Sequence, residues 1–297
     1  MVEQHGISRF EQLPEACLSH IISLTSPKDA CRSLTLSKIV NSAADSNTVW
    51  ERFLPVDYRD IISRACNSSM LTFSSERLLY IYLCEASILL DDAKKSFKLT
   101  KASGKKCYML SSRELGIAWG DNSSYWKWTT LPQSRFTEVA KLYAVCWLEI
   151  RAKFKVEMLS HDTTYAAYLI FQLTEQANHD FHVPAKSFIR LATNDEDDEL
   201  RVELSDIDTE GTFIYLWKPI ENRPGRRGRW RQLGGENMVD GRYPRKRLDG
   251  WMEIELGVPF NSSQENLSSV EILVWETHDL SWKHGLIVEG IELRPVE

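Results

Sequence analysis

The sequence lacks the features that mark membrane, secreted and nucleic-acid-binding proteins. No apolar run approaches the roughly 18 residues of a membrane-spanning helix, and the N-terminal residues have no apolar core behind a basic start. Basic residues are not in excess, because the formal net charge is −6, and a general affinity for nucleic acid or for an anionic membrane needs a basic surface. We therefore expect no membrane span, no secretory signal and no nucleic-acid partner.

Motifs for catalysis and for metal binding are also missing. The sequence contains no G-x-S-x-G, no H-E-x-x-H and no G-x-x-x-x-G-K-S/T. His179 and His182 have no cysteine or further histidine nearby in the sequence, so we expect no metal site. The six cysteines form no C-x-x-C pair and are interpreted as buried, reduced thiols. The sequence predicts no catalytic residue and no cofactor, although a spatial pair of glycosidase-type carboxylates is not excluded by sequence.

The residues that are present divide into two halves with different periodicity. Up to about residue 95 the pattern predicts helices, and after about residue 105 it predicts strands, with the polar joint "KLTKASGKK" between them. A run of helices followed by a run of strands indicates two separate domains. The fold class expected is α+β multidomain, with N-terminal helices followed by an antiparallel β-sandwich.

Helix start signals recur in the first half. Pro14 suits a first helical turn, and Ser26 can cap a second helix that begins at Pro27. Ser75 can cap a longer helix, which the apolar pattern of "SERLLYIYLCEASILLDD" predicts as far as Asp92.

Strict alternation dominates the second half. From Cys146 to Met158 apolar residues occupy every second position, with Trp147, Glu149 and Arg151 on the opposite face. Further strands are predicted in "TTYAAYLIFQL", "GTFIYLWKP", "GWMEIELGVPF", "VEILVWE" and "GLIVEGIEL". No helical crossover of sufficient length separates them, so the sheets are predicted to be mainly antiparallel and to form a jelly-roll-like sandwich.

The N-terminal helices resemble an F-box. The resemblance rests on Leu-Pro-Glu at the start, the Ser-Pro-Lys-Asp turn and the closing Val-Trp, and it implies docking to the Skp-type adaptor of a cullin-based (SCF) ubiquitin ligase. It implies a tail at residues 1–9, an F-box at 10–53 and a helical connector at 54–104. The adaptor-binding residues implied by their place in the pattern are Leu13, Pro14, Ile21, Ile22, Pro27, Leu34, Val49 and Trp50.

The strand half resembles the phloem protein 2 family, whose lectin members are called Nictaba-like. The resemblance rests on "KKCYMLSSRELGIAWGDNSSYWKW", "SRFTEVAKLYAVCWLEIRAKF" and "WKHGLIVEGIELRP" among other stretches, and it covers residues 105–297. It implies a jelly-roll sandwich that, in the lectin members, binds N-acetylglucosamine oligomers and N-glycan cores.

A carbohydrate site is implied around "WGDNSSYWKW". Sugars stack on exposed aromatic rings, and amide or carboxylate groups beside the ring bind their hydroxyls. We expect Trp126 to carry the exposed ring, leave Trp119 open between core and site, and assign Trp128 to the core. Five later tryptophans are expected to pack inside the sandwich: Trp147, Trp217, Trp251, Trp275 and Trp282. The carbohydrate-binding residues implied by the motif are Trp119, Asp121, Asn122, Tyr125 and Trp126, with Glu138 in addition.

Together these features predict a substrate receptor of a cullin-based ubiquitin ligase. The F-box would dock the adaptor, and the sandwich would capture a client, including glycoproteins that carry N-acetylglucosamine. Two alternatives stay open. In the first, the sandwich binds protein surfaces and no sugar, through the basic loop 223–247 or the acidic run 195–199. In the second, the chain is a lectin that acts outside any ligase. The basic stretches "RPGRRGRWR" and "PRKR" suit nuclear import, so we expect the protein in nucleus and cytoplasm.

Overall fold

The computed structural model describes residues 12–175, 177, 181, 183–193, 210–217, 241–264, 266–277 and 280–296. The chain divides into two compact units, Met1–Tyr108 and Met109–Glu297. Six α-helices and fourteen strands are found among the described residues. The expected class, helices followed by antiparallel sheets, is confirmed.

The first unit begins with four short helices and continues with two more. The helices are α1 (Glu15–Ser23), α2 (Pro27–Ser33), α3 (Lys38–Asp45), α4 (Asn47–Phe53), α5 (Tyr58–Ser63) and α6 (Glu76–Glu85). Ser26 caps α2 as predicted, because its hydroxyl accepts a hydrogen bond from the backbone N–H of Asp29 at 3.1 Å. Ser75 caps α6 in the same way.

The predicted helix from Ser75 to Asp92 is too long. Helix α6 ends at Glu85, and Ile88–Leu90 form a strand that pairs antiparallel with Lys95–Leu99. A short apolar run such as "ILL" has no polar positions that distinguish a helix from a strand, so periodicity alone could not locate this boundary. The segment 54–104 is therefore not wholly helical, and "KLTKASGKK" contains the turn between two strands.

Two antiparallel sheets build the second unit. The strands of the chain are β1 (Ile88–Leu90), β2 (Lys95–Leu99), β3 (Lys106–Ser111), β4 (Gly116–Ile117), β5 (Trp126–Thr129), β6 (Val139–Leu142), β7 (Leu148–Lys155), β8 (Thr164–Leu173), β9 (Ala185–Ala192), β10 (Thr212–Ile214), β11 (Arg245–Lys246), β12 (Met252–Asn261), β13 (Ser269–Glu276) and β14 (Leu286–Pro295). One sheet contains β3-β14-β8-β12-β11, with β6 beside β14 and β5 beside β6. The other sheet has the order β10-β9-β13-β7-β4.

The predicted alternation is confirmed within β7, but the predicted strand from Cys146 to Met158 is too long, because Val156–Met158 form a short 3-10 helix. Leu148, Ile150, Ala152 and Phe154 are buried, whereas the residues between them are partly or fully exposed. The two sheets face each other where the backbone of Gly257 in β12 passes beneath Ile189 of β9. Strand β7 therefore turns one face toward the core and the other toward solvent.

The cysteines differ in part from their prediction. None of the six forms a disulfide, but Cys17, Cys31 and Cys66 are exposed, so the expected burial is wrong for these three. They lie in short helices and turns where the apolar stripe is narrow, and a cysteine at its margin stays in contact with water. Among the described residues, no helix is long and apolar enough to span a membrane.

Candidate functional site

Trp119 is the exposed aromatic ring of the predicted carbohydrate motif. Its side chain is 49% exposed, and its backbone has φ of +56°. This left-handed conformation is uncommon for a residue with a large side chain. The turn that follows is closed by hydrogen bonds from the N–H of Asn122 to the carbonyl of Trp119 and from the N–H of Tyr125 to the carbonyl of Asn122, both 2.9 Å.

Two other tryptophans fix the backbone on either side of Trp119. The indole N–H of Trp126 donates to the carbonyl of Ala118 at 3.2 Å, and the indole N–H of Trp128 donates to the carbonyl of Gly120 at 3.1 Å. Both donors lie on β5, which pairs with β6. These two bonds hold the carbonyls of the residues before and after Trp119, so they support its left-handed conformation and direct its ring outward.

The prediction that Trp126 carries the exposed ring is wrong. Trp126 is only 2% exposed. The first residue of β5 turns its side chain under the preceding turn, whereas the positive φ of Trp119 turns that ring out of it. Trp128 is half-buried beneath the guanidinium of Arg113, whose central carbon lies 3.7 Å from the ring centroid. The assignment of Trp128 to the core is therefore only partly met.

Trp119 belongs to a row of four aromatic rings, which we call the aromatic ledge. Its ring centroid lies 5.9 Å from that of Tyr125 and 6.2 Å from that of Trp147. The ring of Trp147 in turn lies 5.3 Å from that of Trp275, at an interplanar angle of 68°. Edge contacts of this kind stabilise aromatic pairs beyond their buried area. The aromatic ledge therefore consists of Tyr125, Trp119, Trp147 and Trp275.

The polar residues of the motif lie in two places. Asp121 and Asn122 are exposed in the turn directly after Trp119, and the side-chain carbonyl of Asn122 accepts a hydrogen bond from the N–H of Ser124 at 3.0 Å. Glu138 accepts hydrogen bonds of 2.9 and 2.6 Å from Arg113. The carboxylate of Glu138 is therefore engaged by the same arginine that covers Trp128.

Sequence reasoning missed three aromatic residues. Trp147 was expected inside the sandwich, but it is half-buried in the aromatic ledge, on the outward face that the alternation from Cys146 to Met158 already gave it. Trp282 is 54% exposed, so its expected packing in the sandwich is wrong, and Tyr143 is also exposed. Both lie outside the regular strands, where no periodicity reports exposure. Trp251 is buried as predicted, and Trp217 is half-buried. Trp275 is also buried, but on the face of its sheet that carries Leu273 and Trp147 and not inside the sandwich.

The residues expected to dock an adaptor are divided between surface and core. Leu13, Pro14 and Ile21 are exposed, and Leu34 is half-buried. The predicted contact role of the other four is contradicted, because their side chains face the centre of the helical unit. Four residues are buried there: Ile22, Pro27, Val49 and Trp50.

Trp50 illustrates why these residues are internal. Its indole N–H donates to the carbonyl of Ala44 at 2.8 Å, and its ring contacts Phe53 and Tyr80. It therefore closes the helical core instead of facing a partner.

Other apolar side chains of the same helices remain in contact with water. Leu24 and Leu36 are 58% and 69% exposed, and Ile39 is also exposed. With Leu13 and Ile21 they make five of the fifteen exposed large apolar side chains in the described part of the chain. The short helices of this segment leave these positions without an internal neighbour, which is typical of a surface that a partner covers.

Several predicted features lie outside the described residues. These are the acidic run 195–199, most of the basic loop 223–247, and the pair His179 and His182. Within the described ranges, no group of three or more His, Cys, Asp or Glu side chains is arranged to hold a metal ion.

Comparison with known proteins identifies both segments. The phloem protein 2 family model matches residues 105–295, and the F-box domain model matches residues 10–52. These matches agree with the two resemblances drawn from the sequence.

Relatives from Arabidopsis thaliana match almost the whole chain. F-box protein At2g02240 is 41% identical over 98% of this chain and 82% of its own length. F-box protein PP2-B10 is 40% identical over 98% of this chain and 95% of its own. F-box protein PP2-B1 is 36% identical over 97% of this chain and 90% of its own. The chain therefore belongs to the family of plant F-box proteins that carry a phloem protein 2 domain.

Proposed function

We propose that this protein is the substrate receptor of a cullin-based ubiquitin ligase. The helices α1–α4 dock the Skp-type adaptor, and the β-sandwich captures the client. The protein itself performs no bond chemistry in this role. It acts by raising the effective concentration of the client near the ligase.

The observation that carries the proposal is the set of exposed apolar side chains within the F-box match. Burying one exposed leucine side chain stabilises a complex by about 1.5–3 kcal/mol. Leu24 and Leu36 are more than half exposed, so covering both supplies a substantial part of the free energy of a stable complex.

Adaptor binding is tested by co-purification of the full chain with a recombinant Skp-type adaptor. We expect Leu36→Asp to weaken the complex at least about tenfold, because a carboxylate then enters an apolar interface. Leu24→Asp should act in the same direction. Val56→Asp is the matched control, since Val56 is fully exposed just beyond the F-box match. Equal affinity of the chain and of both leucine variants for the adaptor would refute this docking surface.

The client side of the proposal rests on the aromatic ledge. Trp119 offers an open ring, and Asp121 and Asn122 lie exposed beside it. This is the combination that binds the apolar face and the hydroxyl rim of a sugar. We propose N-acetylglucosamine-containing glycoproteins as a client class, with Trp119 in the stacking role that the sequence had given to Trp126.

A glycan array separates this proposal from its alternatives. The full chain should bind N-acetylglucosamine oligomers or N-glycan cores, and Trp119→Ala should abolish that binding. Trp282→Ala is the matched control, because Trp282 is exposed to a similar extent and makes no ring contact with the aromatic ledge in the described structure. Absence of glycan binding by a folded chain that still binds the adaptor would favour a receptor for protein surfaces. Glycan binding without adaptor binding would favour a lectin outside any ligase.

A further inference from the structure

The sheet β10-β9-β13-β7-β4 has an outer face opposite the core of the sandwich. Strand β13 lies at its centre and pairs with β7 on one side and β9 on the other. The paired residues Leu273, Arg151 and Phe188 point to this outer face, because the alternate residues Ile150, Ala152 and Val274 are buried in the core. We call this surface the outer face of the β13 sheet.

The centre of the outer face is apolar and closely packed. Leu273 and Trp275 of β13 form a cluster on which Trp147 and Phe188 pack. Leu273 is only 4% exposed and Trp275 only 6%. No aromatic ring of β13 is therefore open for stacking with a sugar. Apolar atoms nevertheless lie directly beneath the polar side chains that surround Leu273 and Trp275.

Cations predominate around this apolar centre. The outward positions of β7 are occupied by Glu149, Arg151, Lys153 and Lys155. Those of β9 include Lys186 and Arg190. The only outward carboxylate among the described residues of β13 is Glu271.

The outer face therefore has five cations and two carboxylates in its three central strands, although the whole chain has a formal net charge of −6. Glu149 forms an ion pair with Arg151. Glu271 lies 3.9 Å from both Lys153 and Arg190. The surplus of positive charge is thus concentrated on one face of an acidic protein, where it attracts an acidic partner.

We propose that the outer face of the β13 sheet binds an extended acidic peptide segment of the client. Arg151, Lys153 and Lys155 follow one another at every second residue of β7, which places them about 7 Å apart along the strand. An extended peptide repeats its side chains on one face at the same interval. Acidic residues at alternate positions of such a peptide therefore meet three cations in succession.

The apolar centre adds a second component to this recognition. Side chains of the peptide that point toward β13 meet the half-buried ring of Phe188, which packs on the buried Leu273. The biological role of the proposed site rests on the proposed receptor function, because the peptide would belong to the client. The binding of an acidic peptide itself does not depend on the adaptor or on the sugar site.

The test is fluorescence anisotropy with the full chain and a labelled peptide in which glutamate alternates with threonine. The same peptide with glutamine in place of glutamate is the ligand control. We expect the glutamate peptide alone to bind, and its affinity to fall sharply at about 1 M salt, where the Debye length is ~3 Å. Lys153→Gln combined with Lys155→Gln should weaken binding roughly threefold to thirtyfold, because two exposed charge pairs with the peptide are lost.

Arg245→Gln combined with Lys246→Gln is the matched control, because these exposed cations lie on β11 in the other sheet. Equal binding of both peptides, or the same loss in the control variant, would overturn the proposal. A heparin oligosaccharide that binds more tightly than the peptide, and loses affinity in the Lys153 and Lys155 variant, would assign the face to acidic glycans instead. Adaptor co-purification of each variant shows separately whether the receptor function is retained.

Discussion

At the residue scale, Trp119 depends on two tryptophans, of which Trp126 is buried and Trp128 half-buried. The indoles of Trp126 and Trp128 hold the carbonyls on either side of it, while Trp119 itself has a positive φ. The sequence motif predicted an exposed ring within "WGDNSSYWKW", and the structure has one in this stretch, at Trp119. It did not identify the exposed ring, since backbone dihedrals and indole hydrogen bonds are not visible in residue type.

This arrangement predicts a specific effect for Trp128→Phe. The change keeps an aromatic ring but removes the donor to the carbonyl of Gly120, which should lower the free energy of unfolding by about 1 kcal/mol. The indole N–H resonance of Trp119, assigned by its absence in Trp119→Ala, should also shift. Urea denaturation and heteronuclear NMR measure the two effects. Trp282→Phe, at an exposed position, should leave both unchanged, and an unshifted Trp119 resonance in Trp128→Phe would contradict the supporting role.

Asp91 predicts a pH dependence in the helical unit. Arg64 donates hydrogen bonds of 2.9 and 2.6 Å to its carboxylate, and these bonds lower the pKa of Asp91 from its ordinary value of 3.8 to about 2. Because the pKa is lower in the folded state, Asp91 stabilises the fold above about pH 4 and loses this effect as the pH falls toward 2.

The comparison of Asp91→Asn with the unmodified chain isolates this effect. The difference in free energy of unfolding should be largest above about pH 4 and should shrink between pH 4 and 2. Urea denaturation across this range measures it, with Asp92→Asn as the control at an exposed neighbour. A difference that stays constant with pH would contradict the role of the Arg64–Asp91 pair.

At the element scale, predictability followed periodicity. The central part of β7 was predicted because apolar and polar residues alternate there, so burial on one face determines its register. The predicted strand from Cys146 to Met158 is nevertheless longer than the observed Leu148–Lys155. The end of α6 was missed because Ile88–Leu90 are apolar on both faces. The helix starts at Ser26 and Ser75 were predictable because a capping side chain acts within three residues.

Strand β14 requires a glycine at position 290. A Cβ atom at this position would lie 1.9 Å from the carbonyl oxygen of Leu110, which is backbone and cannot rotate away. The register of β14 against β8 also shifts between Val288 and Gly290. No periodicity in the sequence reports such a close approach of two main chains.

Gly290→Ala should therefore destabilise the β-sandwich by about 1–3 kcal/mol or more. Gly116→Ala is the control, because the nearest atom to its Cβ is 3.6 Å away and the residue lies on a strand at the edge of its sheet. Thermal and urea denaturation of the full chain compare the two. Equal stability of both variants would show that the backbone at β14 yields more readily than this geometry implies.

At the scale of the whole molecule, each unit contributes a surface of a different chemistry. The F-box helices expose leucine and isoleucine side chains, whereas the second unit exposes the aromatic ledge and, on one sheet, an excess of cations. The family and the fold were predictable because ordered motifs extend over most of the chain. The surfaces were less predictable, since half of the expected adaptor contacts are core residues and three exposed apolar residues, Leu24, Leu36 and Ile39, were absent from that set.

The most direct test of the receptor account is a bridging experiment. Beads that carry N-acetylglucosamine oligomers are incubated with the full chain and a recombinant Skp-type adaptor, and the retained adaptor is measured. The account predicts retention of the adaptor only when the chain is present, and its loss in Trp119→Ala and, separately, in Leu36→Asp. The account is contradicted if the adaptor binds the unmodified chain in solution but is not retained on the beads. It is also contradicted if the beads retain the unmodified chain without any adaptor.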